Sequence, residues 1–469
     1  MLFRRGPCLN CALVTRLRDP KANRSRDTST FLMGPLAPTR ACGWRWIVSA
    51  IVFNNVRVLD VRKGALTAPT SVLVSGELIE RIGGTAAPPD ATRIECSGNV
   101  LMPGLIDAHW HAAFAAIPMP VALTADPAYL HLIAGEQAKA TLLRGFTTVR
   151  DCGGPTFGLK RAINEDIISG PRIFPSGAFI SQTSGHGDFR SRHEVPAACC
   201  APLSFAESTG ASMIADGADA VMRRVREQLM LGASQIKLMG GGGVASPHDP
   251  IDVAQYTEAE FRAAVDAAEN WGTYVTVHAY TPRAIRTAIA GGVRCIEHGH
   301  LADEATAALM AERGIWWSLQ PFLDDEDAVP IPVSSPLRAK QMQVVKGTET
   351  AYALARKYKV RTAWGTDTLF DAKLATRQGA QLAKMTRWFT PAETLRMATL
   401  ENAELLALAG ERNPYPGKLG EVAESALADL LLVEGDPLSN IGLLADPERC
   451  LRIIMKGGRL YKNTTASVS

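Results

Sequence analysis

Hydrophobic and polar residues follow two different patterns along the chain, and the pattern changes near residues 104 and 410. From residue 50, short apolar runs such as Ser71–Val74 are split by turn residues, which is typical of strands. A similar run, Ala428–Val433, stands near the carboxyl end. Because neither end alone carries enough strands for a stable sheet, we expect residues 50–103 and 413–463 to form one small β-sandwich domain with antiparallel strands.

Between these segments, apolar strand-like runs alternate with helical stripes. For example, Thr257-x-x-Glu260 is a capping box that opens a helix, Gly272 ends it, and a strand-like run through His278 follows. Eight such units are expected over roughly 300 residues, as in α/β barrels. The sequence therefore predicts an α/β fold in which residues 104–412 form a (β/α)8 TIM barrel.

Composition and charge narrow the possible partners. The 469 residues are 46% apolar and 21% charged, which is ordinary for a globular protein. Residues 1–49 hold nine Lys or Arg and two acidic residues, a net charge of +7, so a total of +3 leaves −4 for the rest. We expect this basic segment to be a disordered extension or a misassigned gene start, and the acidic body argues against a nucleic-acid partner.

The cellular compartment is predicted from the absence of membrane-spanning and secretory signals in the sequence. No apolar run approaches the ~18 residues of a membrane span, and the basic segment has no apolar core of a secretory signal. The nine cysteines are scattered, and the spacing of Cys8 and Cys11 has no matching second half for a zinc site. We therefore expect reduced thiols, no membrane partner and a cytoplasmic location.

Six residues able to bind metal fall where predicted barrel strands end: His109, His111, Lys237, His278, His298 and Asp367. Active sites of such barrels lie at the carboxyl ends of the strands. Residues two apart on a strand point the same way, so His109 and His111 can reach one ion. The intervals between the six place them on strands 1, 4, 5, 6 and 8. Any one of these residues alone has a structural explanation, whereas the whole set favours a metal centre.

The set resembles the amidohydrolase superfamily in its two-metal form. Four motifs narrow the resemblance to the imidazolonepropionase-related branch, which includes Xaa-Pro dipeptidases and ochratoxinase: Gly145–Asp151, Ser181–Asp188, Ile236–Val244 and Ile296–His300. The resemblance covers residues 50–463. It implies a hydrolase that cleaves an amide to a C-terminal amino acid with a free carboxylate, in a dipeptide, an N-acyl amino acid or ochratoxin A.

The resemblance also implies the roles of the six residues. His109, His111 and Asp367 bind the first divalent ion, His278 and His298 bind the second, and Lys237 bridges them as an N6-carboxylated lysine. Imidazole and carboxylate ligands suit zinc. A hydroxide that bridges the metals attacks the carbonyl, and Asp367 acts as general base. A homo-oligomer, a tetramer or octamer, is expected by the same resemblance.

The residues that bind the substrate carboxylate are predicted from their positions. His186, Tyr280 and Arg283 are candidates as donors, and His300 is a candidate for supporting a ligand from behind. The glycine run Gly240–Gly243 lacks the Gly-Lys-Ser/Thr ending of a phosphate-binding loop, so we interpret it as room for substrate.

Two other functions fit parts of this pattern. A lactonase, phosphotriesterase or cyclic-imide hydrolase could use the same activated hydroxide, so the ligands do not discriminate among these bonds. A non-catalytic scaffold on the same fold is the other alternative, but such a protein is expected to lose ligands, and all six are present here.

Overall fold

The structure is a computed structural model that describes residues 50–84, 87–195, 202–246 and 248–465. The predictions for residues 1–49, including the basic extension and the Cys8–Cys11 spacing, lie outside these ranges. The strands in chain order are β1 (Ile51–Asp60), β2 (Ala65–Leu66), β3 (Thr70–Ser75), β4 (Leu78–Ile82), β5 (Thr92–Glu95), β6 (Val100–Pro103), β7 (Leu105–Trp110), β8 (Phe146–Asp151), β9 (Arg172–Pro175), β10 (Phe179–Ser181), β11 (Ser212–Ile214), β12 (Ile236–Met239), β13 (Val275–Ala279), β14 (Cys295–His298), β15 (Trp316–Leu319), β16 (Thr362–Trp364), β17 (Leu430–Val433), β18 (Leu451–Lys456) and β19 (Arg459–Asn463).

Helices connect most of the strands from β7 to β16 and continue beyond β16. They are α1 (Met119–Ala122), α2 (Pro127–Leu143), α3 (Phe157–Asn164), α4 (Phe205–Ser208), α5 (Ala218–Leu231), α6 (Glu258–Glu269), α7 (Pro282–Ala290), α8 (Glu304–Glu312), α9 (Pro336–Tyr358), α10 (Ala372–Ala375), α11 (Gln378–Ala383), α12 (Pro391–Arg396), α13 (Asn402–Leu406) and α14 (Pro447–Cys450). The capping box at Thr257 is confirmed, because its side chain accepts a hydrogen bond from the backbone N–H of Glu260. None of the helices in the described ranges has both the length and the apolar character needed to cross a membrane.

Strands from both ends of the described chain share one nine-stranded sheet. Its main order is β19-β18-β17-β6-β1-β3-β4, with β2 and β5 also paired to β1. The prediction that the two ends contribute to one sheet is therefore confirmed. The sandwich itself and the domain boundaries remain predictions.

The expectation that this sheet is antiparallel is wrong. Strand β1 pairs in parallel with β5 and with β6, and antiparallel with β2 and β3. The cause is that β1 is one long strand with a bulge between Phe53 and Val56, where Asn55 has φ +51°. The bulge bends the strand, so its residues before the bulge pair with β5 and its residues Arg57 and Val58 pair with β6, while β3 pairs with residues on both sides of the bulge.

The connection between β18 and β19 is a two-residue hairpin loop. Lys456 pairs with Arg459, and Gly457 and Gly458 between them have φ values of +55° and +72°. Positive φ at both loop residues gives the turn whose twist matches antiparallel strands, and glycine adopts it without strain. The sequence run from 452 to 461 is therefore two strands.

Two parallel sheets form the middle of the chain. One has seven strands in the order β11-β10-β12-β13-β14-β15-β16, and the other has three in the order β7-β8-β9. Backbone hydrogen bonds link both edge strands of the three-stranded sheet to the larger sheet: Ser234 N, just before β12, donates to Pro175 O at 2.7 Å, and Asp367 N, after β16, donates to His109 O at 2.8 Å. The α/β class with parallel strands is confirmed, but the strand pairing itself does not join the two sheets into one closed barrel.

Candidate active site

The carboxyl end of β7 presents two buried histidines to one carboxylate. His109 lies in β7 and His111 follows it, and their rings are 5.4 Å apart between centroids. The Nε2 atoms of His109 and His111 lie 3.3 and 3.2 Å from Oδ1 of Asp367. The alternation of a strand thus brings both imidazoles to the same side, as expected from the sequence.

Asp367 follows β16 in a left-handed backbone conformation, with φ +51°. Its backbone N–H donates to the carbonyl of His109, which fixes the loop after β16 against β7. Burial opposes ionisation of this carboxyl, but the neighbouring His109 and His111 outweigh it and lower the pKa of Asp367. The carboxylate is therefore in its anionic form at neutral pH, when it can bind a cation or accept a proton.

Three further predicted ligands come from consecutive strands. Lys237, His278 and His298 lie in β12, β13 and β14, and all three side chains are buried. The His298 ring lies 4.6 Å from that of His278 and 4.9 Å from that of His109, measured between centroids. Nζ of Lys237 is 3.4 Å from Nε2 of His109. All six predicted residues therefore meet at one end of the parallel strands.

Burial keeps the imidazoles of His109, His278 and His298 neutral. Burial, reinforced by the charge of Lys237, lowers the pKa of His109 to about 4. Burial and neighbouring cationic groups also hold the pKa values of His278 and His298 well below the usual value for histidine. A neutral imidazole has one nitrogen lone pair, which is the form that binds metal.

Hydrogen bonds determine which nitrogen carries that lone pair. Nδ1 of His109 and Nδ1 of His111 donate to Glu297 Oε2 at 2.7 Å and to Gly153 O at 2.9 Å. Because a carbonyl or carboxylate oxygen only accepts, Nε2 is the unprotonated atom in the neutral, metal-binding form of each ring, and it lies on the side of Asp367. By the same reasoning, His278 donates from Nε2 to Gly242 O and keeps its lone pair on Nδ1.

A buried ion pair that sequence reasoning missed stands behind His109. Glu297 accepts from His109, from the hydroxyl of Thr276 and, at 2.6 Å, from Nη2 of Arg150. Arg150 and Glu297 are both fully buried. Burial opposes ionisation of the Glu297 carboxyl, but Arg150 and His109 hold the pKa of Glu297 well below its usual range, so the carboxyl is ionised. The available signal was a charged residue inside a predicted strand of the barrel, where a buried charge is rare without a partner.

A second missed carboxylate, Asp107, ties β7 to the loop after β16. Its Oδ1 accepts from the backbone N–H groups of His109 and Thr366 at 3.1 Å each. Its Oδ2 accepts from the Thr366 hydroxyl at 2.8 Å and from Gln378 at 3.0 Å. Burial raises the pKa of Asp107 to about 6. The Asp107 carboxyl therefore fixes the end of β7, which carries His109, relative to the loop after β16, which carries Asp367.

His186 lies beside the predicted second metal position and is held by a loop aspartate. Its ring stacks on that of His278 at 4.4 Å between centroids. Its Nδ1 lies 3.0 Å from Oδ2 of Asp249, which also accepts from Gly243 N at 2.6 Å. Lys340 fixes the same loop by donating to three backbone carbonyls, those of Gly243, Ser246 and Asp249.

The glycine run after β12 makes room for protein groups. A Cβ atom added to Gly243 would overlap the His186 ring, and one added to Gly242 would overlap the backbone of Pro250. The interpretation of Gly240–Gly243 as room for substrate is therefore wrong for these two positions, because the side chain of His186 and the loop backbone fill the space.

The remaining predicted residues are divided between cavity and surface. Tyr280 is buried, with its ring 4.9 Å from that of His278, and it lines the cavity described below. His300 is buried behind it and donates from Nε2 to Gln320 O at 2.9 Å. Gln320 in turn accepts from Nδ1 of His298, so His300 and His298 share one support. Arg283 lies in the first turn of α7 with an exposed side chain and is not among the described residues that line the cavity.

The site opens into a cavity of about 430 Å³. Its floor holds all six predicted metal ligands together with His186 and Tyr280. This volume lies within the range of ~300–1,000 Å³ typical of small-molecule sites.

The donor set at the floor of the cavity fits a divalent metal ion. Ligand atoms of His109, His111 and Asp367 all lie within 4.8 Å of one another, and two imidazoles with one carboxylate suit a divalent cation such as zinc. A second group, His109 with Cys152 and Glu297, meets the same distance limit. It fits a metal poorly, because Glu297 is already paired with Arg150 and burial raises the pKa of the Cys152 thiol.

Comparison with known proteins agrees with this geometry. Ochratoxinase from Aspergillus niger is 31% identical over 413 residues, which cover 84% of this chain and 82% of that protein. The structure of a prolidase complexed with N-methylphosphonate-L-proline is similar with a TM-score of 0.80 and 36% identity, over 88% of this chain and 100% of the other. A Xaa-Pro dipeptidase with bound methionine in its active site has a TM-score of 0.76 at 27% identity, over 88% of this chain and 100% of the other.

The family follows from the extent of the match. Residues 100–460 match the Amidohydrolase family, which is well over half of the chain. The matched segment contains every residue of the site described above. The chain therefore belongs to the Amidohydrolase family and is a hydrolase that acts on amide or peptide bonds.

Proposed function

We propose that the protein is a binuclear metal-dependent amidohydrolase that releases a C-terminal amino acid with a free carboxylate. The observation that carries the proposal is the meeting of four imidazoles, one lysine and one carboxylate at the carboxyl ends of parallel strands. The names of the similar proteins, ochratoxinase, prolidase and Xaa-Pro dipeptidase, support this class of substrate.

In this proposal, His109, His111 and Asp367 hold one divalent ion, and His278 and His298 hold the other. Imidazole and carboxylate donors favour zinc. When bound, the ions polarise the scissile carbonyl and activate water at neutral pH.

Lys237 is proposed to bridge the two ions as a carbamate. Its ammonium group first loses a proton, and the resulting amine adds to carbon dioxide and releases a second proton, so a cationic side chain becomes an anionic one. The burial of Lys237 supports this step, because no carboxylate among the described residues lies within ion-pair distance of Nζ. A buried ammonium without such a partner is costly, whereas an anionic carbamate complements two cations.

Asp367 is proposed as the general base. Its low pKa keeps it ready to accept a proton from the attacking water, and it then delivers that proton to the leaving nitrogen. His186 and Tyr280 are proposed to bind the substrate carboxylate, since both line the cavity next to His278. Arg283 is left out of this role because its side chain is exposed.

We also propose that the two parallel sheets close into a single (β/α)8 barrel and that the nine-stranded sheet folds as a sandwich. The hydrogen bonds of Ser234 to Pro175 and of Asp367 to His109 support closure of the barrel, because they join both edge strands of the three-stranded sheet to the seven-stranded sheet. For the sandwich, buried residues from both halves of β1 and from β17 share one core. A homo-oligomer, a tetramer or octamer, stays a prediction from the sequence.

The test is a substrate panel on metal-quantified protein. The panel contains Xaa-Pro and Xaa-Phe dipeptides, N-acyl amino acids and ochratoxin A, each beside its C-terminal carboxamide, together with a lactone and an organophosphate. We expect hydrolysis of the free carboxylates and much slower hydrolysis of the carboxamides. Faster turnover of the lactone or organophosphate than of every amide would contradict the proposal.

A lysine pair provides the matched control. Lys237→Ala should lose bound metal and amidase activity together, whereas Lys346→Ala, at an exposed position of α9, should retain both. Wild-type activity in the Lys237 variant would refute the bridging role.

A further inference from the structure

The walls of the cavity above the metal ligands are almost entirely apolar. One wall comes from the segments that follow β7 and β16, where Phe114 and Phe370 pack with ring centroids 6.1 Å apart. Leu123, Phe189 and Leu369 extend the same apolar cluster. This wall begins next to the ligands, since Phe114 is three residues beyond His111 and Leu369 two beyond Asp367.

The other wall comes from the segment after β15 and from α9. The ring of Phe322 lies 6.1 Å from that of His298 and 4.9 Å from that of His300, again between centroids. Val344 of α9 packs in the same cluster, and Leu337 lines the cavity from the first turn of that helix. An uncharged group placed between the two walls would thus be covered by aromatic and aliphatic side chains.

Among the described residues that line the cavity, no charged side chain other than the predicted metal ligands is free to pair with a cation on the substrate. Apart from the histidines, Lys237 and Asp367, the one charged residue among the described lining residues is Asp327. Asp327 forms ion pairs with both Arg377 and Lys384. Burial opposes ionisation, but these two cations lower its pKa, so its charge is already compensated.

A dipeptide carries an ammonium group on the carbon next to its scissile carbonyl. That carbon must lie close to the metal centre, where two bound divalent ions would make the local charge positive and the walls are apolar. Burying a charged group without a partner is costly. The same position accepts an uncharged carbon chain or ring without that cost.

We propose that the preferred substrates are amino acids N-acylated by a bulky, apolar, uncharged group, and that dipeptides with a free N-terminal ammonium are poor substrates. This inference rests on the proposed amidase function and specifies the acyl half of its substrate. The reaction adds one water across the amide and yields an apolar carboxylate and a free amino acid.

The test uses two substrates that differ by the ammonium group alone. 3-Phenylpropanoyl-proline has the shape of Phe-Pro without its amine. We expect kcat/KM for 3-phenylpropanoyl-proline to exceed that for Phe-Pro by at least about tenfold, because the site lacks a counter-charge. Equal values, or a preference for Phe-Pro, would overturn the inference while leaving the amidase function intact. Hydrolysis of neither compound nor of any other amide would overturn both.

A charge-introducing variant tests the cause of the preference. Leu337→Glu places a carboxylate on the cavity wall, in the first turn of α9, where the helix dipole favours an acidic residue. We expect it to reduce the preference for 3-phenylpropanoyl-proline by about tenfold, which corresponds to roughly one charge-assisted hydrogen bond. The matched control Leu132→Glu, at an exposed position of α2 outside the cavity, should leave the ratio unchanged. If the control shifts the ratio as much, the effect is not one of the cavity and the inference fails.

Discussion

Replacing Glu297 by Gln tests whether the buried ion pair positions the first metal ligand. The substitution keeps the shape of the side chain but leaves Arg150 as an uncompensated buried cation. Breaking a buried pair in this way typically costs ~3–5 kcal/mol of unfolding free energy. The Gln amide also cannot supply both acceptors, so His109 loses the hydrogen bond that directs its lone pair towards Asp367. Loss of such a support typically weakens metal binding ~10–100-fold.

Two assays separate these effects. Denaturant unfolding of the metal-free protein measures stability, and competition with a chromophoric chelator measures zinc affinity. Glu312→Gln is the matched control, because this glutamate and its partner Arg313 are both more than 60% exposed and the change should cost less than ~0.5 kcal/mol.

A double-mutant cycle with Arg150→Met completes the test. The double variant should be markedly more stable than the sum of the two single changes predicts, because no buried charge is left unpaired. If Glu297→Gln unfolds within about 0.5 kcal/mol of wild type and binds zinc equally well, the positioning role assigned to this pair is wrong.

Three further predictions concern residues around the centre. Burial lowers the pKa of His300 from an unfolded value near 6.5 to about 4, so between these pH values this residue is protonated only in the unfolded state. As the pH falls from 6 to 5, the metal-free wild type should therefore lose about 1.4 kcal/mol more unfolding free energy per pH unit than the metal-free His300→Asn variant, as measured by denaturant unfolding. Asp249→Asn should raise KM for free-carboxylate substrates about tenfold, because it weakens the hydrogen bond that holds His186. The control variant Asp266→Asn, at an exposed position, should leave KM unchanged in the same kinetic assay. Gly243→Ala should lower kcat/KM for the free-carboxylate substrates by displacing the His186 ring, and a rate equal to wild type would show that the ring does not contribute there.

The ligand set could be predicted from sequence because each member has a local signature. His109 and His111 stand two apart at the end of a strand-like run, and the other four lie in or just after strand-like runs at intervals that match βα units. The carboxyl ends of parallel strands meet at one edge, so correct placement along the chain was sufficient to predict that the six converge. The structure brings them together as that rule requires.

The supporting residues could not be predicted because their partners are distant in sequence. Arg150 and Glu297 are 147 positions apart, and Asp249 reaches His186 from a loop whose path no periodic pattern indicates. The parallel pairing of β1 with β5 and β6 was missed for a related reason. Strand alternation fixes which side chains share a face, but it does not fix the partner strand or its direction.

The measurement that tests the central claim most directly is the metal content of the purified protein, determined together with the rate of amino-acid release from 3-phenylpropanoyl-proline. The account predicts two divalent ions per chain, loss of activity when a chelator removes them, and recovery in proportion to the metal restored. Full amidase activity in protein with less than one ion per chain would contradict it.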